Sequence, residues 1–111
     1  RFEEAGQRRQ WLQREAPSGL RHVSLLETAD RLESSDPTRA MEMYSRVADD
    51  DPAERHAVSA ALGRARLLEA GGSAAAALRT YETTVLSAPL DPRTPDIRRH
   101  ITRLRALGDP G

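Results

Sequence analysis

Three histidines, His22, His56 and His100, are the side chains best suited to hold a metal or move a proton near neutral pH. They fall on different expected helices, with no His-x3-His pair and no His-Glu-x2-His, so their spacing predicts no preformed zinc site. The run Asp49-Asp50-Asp51 resembles a cation loop only in charge. It lacks the alternating oxygen ligands, the turn glycine and the distal glutamate of a calcium loop, and it reads as a turn plus a helix cap. Gly71-Gly72-Ser73 opens a helix and offers free N–H groups, yet no lysine follows and no strand precedes it. No Gly-x-Ser-x-Gly elbow is present, and without Cys or Lys the candidate nucleophiles reduce to hydroxyls and carboxylates with no evident base. The expectation is a chain without catalytic residues, cofactor or metal.

Composition narrows the remaining classes. The 111 residues, 38% hydrophobic and 31% charged, suit one domain rather than two full cores. A mean hydropathy of −0.65 and no apolar run near the roughly 20 residues of a membrane span exclude a transmembrane segment and predict no membrane contact. The formal net charge is zero, so any affinity for polyanions has to be local. There are 17 Arg with no Lys and no Asn, a bias that reads as GC-rich, bacterial coding rather than as function. With no Cys there is no disulfide framework, and the compartment stays open between cytoplasmic and extracytoplasmic. The first residue is Arg1 and no signal sequence precedes the first periodic segment, so a piece of a longer protein is expected.

The elements that would carry any site are marked by breakers. Pro17 to Gly19, Ser34 to Pro37, Asp51-Pro52, Gly71 to Ser73, Asp91 to Pro95 and Gly108 to Pro110 cut the chain into about six helical stretches. Asp36 before Pro37, Asp51 before Pro52 and Thr94 before Pro95 each set an N-cap acceptor ahead of a proline at the first helical position. Glu54 lies where it would reach back to Asp51 as a capping box, and Ser73 caps the run from Ala74. Apolar residues recur at helical spacing, among them Leu25, Ala29 and Leu32, then Ala40, Met43, Tyr44 and Val47, then Ile97, Ile101 and Leu104. Only four aromatics accompany many Ala and Leu, so the fold class is all-α. Gly63, inside a helix, costs roughly 1 kcal/mol relative to Ala and predicts close packing or a local bend, with an ordinary exposed glycine as the alternative.

Self-similarity organises these stretches. Ala40-x3-Tyr44-x7-Pro52 returns as Ala77-x3-Tyr81-x7-Pro89, displaced by 37 residues. Ala65-x2-Leu68-x3-Gly72 leads into the second copy and is echoed by Ile101-x2-Leu104-x3-Gly108, while Thr28, Arg31 and Ser35 occupy the matching positions before the first. On these residues the chain, over about 20–108, resembles the tetratricopeptide repeat family, a helix–turn–helix unit of about 34 residues. The resemblance implies a helix-hairpin solenoid with repeats over 20–53 and 54–91, the first helix of a third over 92–111, and a degenerate half-repeat or cap over 1–19. Tyr44 and Tyr81 would fill the space between neighbouring hairpins. The spacing departs from the family's, and the first helices lack its Trp, so irregular superhelical geometry is expected.

The same resemblance implies a concave groove lined by the first helix of each hairpin, which takes an extended peptide or a helix from a partner protein. Carried over by spacing, the groove positions are His22, Leu25, Ala29 and Leu32, then Ser59, Leu62, Arg66 and Glu69, then Arg98, Thr102 and Arg105. They run from apolar to basic, which suits a partner with an apolar anchor and acidic groups. The alternative at these positions is that Leu25, Leu32 and Leu62 pack inside and the arginines are solvated. A second function class stays open beside it, a structural or self-association segment forming a homodimer through uncovered apolar faces. Nucleic-acid binding by Arg98, Arg99, Arg103 and Arg105 is not expected, given Asp96, the neutral chain and the lack of stacking aromatics nearby.

Overall fold

A computed structural model of the chain describes residues 18–108, and within them the fold is all-α. Five helices follow one another: α1 Ser18–Leu32, α2 Pro37–Asp50, α3 Arg55–Ala70, α4 Ala74–Ser87 and α5 Thr94–Gly108. The additional helix expected over residues 1–19 lies outside the described residues as far as residue 17, as do Asp109 and Pro110 of the last breaker. Each helix packs on its neighbours in the chain, and α1 also packs on α3. The result is elongated, 59 × 30 × 17 Å. No described helix is long and apolar enough to cross a membrane.

Two apolar clusters share α3. Leu25 and Ala29 from α1 meet Ala40, Met43, Tyr44, Val47 and Ala48 from α2 together with Ala60 and Ala61 of α3. Val58 and Ala65, also on α3, join Ala77 and Tyr81 of α4 and Ile97, Ile101 and Leu104 of α5. Because α3 is packed on both sides, its buried positions are small: Ala57, Val58, Ala60, Ala61, Gly63 and Ala65. Small side chains let helix axes approach closely, and each tyrosine then supplies the bulk that the alanines lack. Gly63 shows why no side chain is tolerated there. A Cβ at this position would lie 2.5 Å from Cζ of Tyr44, whose ring is 1% exposed and has nowhere to retreat. Close packing, not a bend or an exposed site, is the reason for the glycine.

The helix ends follow the expected punctuation in part. Asp36 caps α2 as expected, its carboxylate accepting from the N–H of Arg39 at 3.2 Å ahead of Pro37. At α3 the expected cap is displaced. Asp51 closes α2, while Glu54 is the N-cap of α3, its carboxylate accepting from the N–H of His56 at 2.7 Å and of Ala57 at 3.4 Å. Pro52 therefore sits in the turn rather than at the first helical position. The α3–α4 connection is a Schellman turn: Gly72 has φ +85°, its N–H donates to Glu69 O, and Ser73 N–H donates to Leu68 O. Ser73 is the N-cap residue of α4, as expected, but makes no side-chain cap bond. Thr94 also departs from its expected part, since its hydroxyl donates back to Ala88 O at 3.2 Å, while Asp91 accepts from the Arg93 N–H at 2.9 Å. The hydrogen bond from Arg93 holds the Asp91 carboxyl below its ordinary range, against the opposing effect of burial.

Candidate functional site

The tyrosines of the repeated motif form two related nodes. Tyr44 on α2 donates its hydroxyl to Asp30 on α1, and Tyr81 on α4 donates to Glu69 on α3 at 2.9 Å. In each hairpin the second helix is thus tied by a phenol to a carboxylate on the first. Across to the following helix, Tyr44 meets Gly63, and Tyr81 stacks on His100 with centroids 5.0 Å apart and planes within 6°. Gly63 and His100 are themselves 37 residues apart, the displacement of the repeat. Burial, with the nearby carboxylate second, pushes the Tyr81 phenol up to about 12 and raises Tyr44 further. Burial also acts to raise Glu69, but the hydrogen bonds from Arg103 and Tyr81 outweigh it and its carboxyl lies below the ordinary value.

The positions taken from the spacing for a groove separate into four groups. His22, Leu25 and Ala29 are buried, at 7%, 6% and 0% exposure, so they face the interior and offer nothing to a partner. Leu32 and Leu62 are half-buried and pack on the two core clusters. Ser59 is half-buried too, its hydroxyl accepting from Arg93 at 2.6 Å. Arg66 and Glu69 belong to a line of ion pairs between successive first helices, Arg66 with Glu33 at 3.1 Å and Arg103 with Glu69 at 2.7 Å. Arg98, Thr102 and Arg105 are exposed on α5 and share one groove.

That groove runs between α4 and α5. Its lower part, about 400 Å³, is lined by Glu82, Val85, Leu86, Arg98, Ile101, Thr102 and Arg105. A second part, about 520 Å³, continues from Arg105 to Leu104, Leu107, Ala74 and Leu78. Arg105 stands at the junction, paired with Glu82 at 2.6 Å. Leu86 and Leu107 are 82% and 73% exposed here, an unusual amount for leucine, while Arg98 lines the groove beside Leu86. The repeat gives this face a counterpart. Ala48, Ala57 and Ala61 line a smaller cavity, about 80 Å³, with Thr83, Thr84 and Ser87 of α4. Shifting Ala48 and Ala61 by 37 residues gives Val85 and Arg98. The α4–α5 groove holds these two shifted positions, with arginine in place of one alanine.

A second cluster was not legible from spacing. His22 on α1 and His56 on α3 lie edge to face, centroids 6.3 Å apart, on either side of Glu54. Glu54 Oε1 is 3.0 Å from His56 Nδ1, and Oε2 is 3.8 Å from His22 Nδ1. On its other edge His22 Nε2 donates to Asp50 Oδ2 at 2.8 Å, because a carboxylate can only accept. The one local signal in the sequence is Glu54-x-His56, which is too common to read; helix packing, not chain spacing, brings His22 to it. Compared with protein-family models, with curated proteins and with solved structures, the chain matches none.

Proposed function

We propose that this chain is a non-catalytic protein-interaction module, a tetratricopeptide-like stack of helical hairpins that binds an amphipathic helix of a partner protein. The observation that carries the reading is the groove between α4 and α5. It is lined by apolar side chains of both helices and leaves Leu86 and Leu107 exposed. A seat of this shape takes a helix with an apolar stripe. Arg98 and Arg105 beside it favour acidic residues on the partner's flanks, since a guanidinium pairs a carboxylate in bidentate fashion. This reading moves the binding surface from the first helices of every hairpin to the last helix pair, because His22, Leu25 and Ala29 are interior. It involves no nucleic acid and no cofactor.

Selection of helical peptides from a display library against the chain tests it. Selected binders are expected to carry an apolar stripe flanked by Asp or Glu. Their affinity should fall at least about tenfold against Leu86→Glu and against Arg98→Glu with Arg105→Glu, a change of about 1.4 kcal/mol. These side chains are exposed, so the variants keep their helicity. Binders indifferent to all three substitutions would place recognition elsewhere. A concentration-dependent dimer in light scattering, lost in Leu86→Glu, would assign the groove to a second copy of the chain.

A further inference from the structure

We propose that His22, Glu54 and His56 form a binding site for a divalent transition-metal ion of the zinc class. The three side chains each present one ligand atom, and these atoms all lie within 4.8 Å of one another. Ligand atoms around a tetrahedral zinc stand about 3.3 Å apart for bonds of about 2.0–2.1 Å. The separation between Glu54 Oε1 and His56 Nδ1, 3.0 Å, is close to that value, and His22 Nδ1 stands 3.8 Å from the other oxygen, Oε2. Two imidazoles with one carboxylate are a donor set suited to zinc rather than to calcium or magnesium, which take oxygen ligands.

The second argument is where the protons go. Donation from His22 Nε2 to Asp50 fixes the proton on that edge and leaves Nδ1 as a lone pair facing the Glu54 carboxylate. His56 Nδ1 is buried and makes no hydrogen bond, although Glu54 Oε1 is 3.0 Å away. Two imidazole nitrogens from two helices thus face one carboxylate, a set of ligand atoms that a cation can bridge. Asp50 then acts as the outer carboxylate that orients a metal-bound histidine. Glu54 divides its labour: Oε2 caps α3 through the N–H groups of His56 and Ala57, and Oε1 remains for the ion. The site would fasten α1 to the start of α3 at the turn after α2. Glu54 and Asp50 together balance a charge of plus two.

Calorimetric titration of the metal-stripped, tag-free chain with zinc at neutral pH tests the assignment, with cobalt substitution for the visible spectrum. One ion per chain is expected, with a cobalt spectrum of low coordination number and no thiolate band. Glu54→Gln and His56→Asn should each weaken binding at least about tenfold, and Asp50→Asn about tenfold as an outer-sphere change. His100→Asn should leave binding unchanged. Because Gln at position 54 keeps a cap acceptor, its helicity in circular dichroism should match the parent. Should a variant unfold, the parent chain still decides: zinc should shift the Nδ1 resonances of His22 and His56 in ring-nitrogen NMR and leave those of His100 in place. Absence of stoichiometric binding, binding insensitive to both Glu54→Gln and His56→Asn, or shifts confined to His100 would overturn it.

Discussion

At the scale of single residues, the two tyrosines carry a property that the composition makes unusually easy to measure. The chain has no Lys and no Cys, and Arg does not titrate below about pH 12, so the phenols are the side chains that ionise between about pH 9 and 12. A phenol that donates to Asp30 or Glu69 must keep its proton. The folded Tyr81 is pushed up to about 12, Tyr44 is raised as well, and the unfolded chain ionises near 10. The contribution of these phenols is therefore complete below about pH 10 and is lost as pH rises toward 12, by at most about 1.4 kcal/mol per pH unit for each tyrosine. Urea denaturation across that range should show the fall, and Tyr81→Phe should flatten it. A stability independent of pH there would mean the phenols are not held as described. Gly63 is the other residue whose identity is dictated by contact. Gly63→Ala should lower stability by about 1–3 kcal/mol through displacement of the Tyr44 ring, read as a reduced thermal midpoint with helicity retained at low temperature. Helix propensity alone would give the opposite sign, so the direction of the change separates packing from propensity.

At the scale of elements, the breakers were legible and their chemistry less so. Helices α2 to α5 lie between the expected stops because Gly and Pro act locally, through one residue's dihedral angles. Which side chain caps which helix depends on two or three angles of the turn, and there the sequence was ambiguous. Asp51 and Glu54 both have the chemistry of a cap; the turn puts Glu54 on the N–H groups of α3 and Asp51 at the end of α2. Glu54→Ala is expected to cost about 1 kcal/mol, and Asp51→Ala much less, measured by chemical denaturation of each. Equal losses would restore Asp51 as the cap. The same limit applied to the histidines. Periodicity says that His22 and His56 are each on a helix, but the packing of α1 on α3 decides that they meet. Likewise, helical spacing placed Leu25 on one face without saying whether that face met α2 or solvent, and it met α2.

At the scale of the whole molecule, the described helices are held with unequal grip. Helix α3 contributes to both apolar clusters and runs close to α1, α2 and α4, whereas α5 runs close to α4 alone among the described helices and reaches α3 only through side chains. Stability is not uniform across a structure, and an element with fewer packed neighbours opens more readily than one packed on several. Amide hydrogen exchange should be slowest in α3 and fastest, among the described helices, in α5. One common rate for every helix would instead indicate a single cooperative core. The gradient bears on recognition, because the groove proposed for a partner is built from the weakly held α5 and its neighbour α4. A helix bound there would give α5 a second packed side, as α3 already has. Its ligand should therefore raise protection across α5 and the facing turns of α4 while leaving α1 nearly unchanged; protection that rises in α1 and spares α5 would place the partner at the opposite end of the stack.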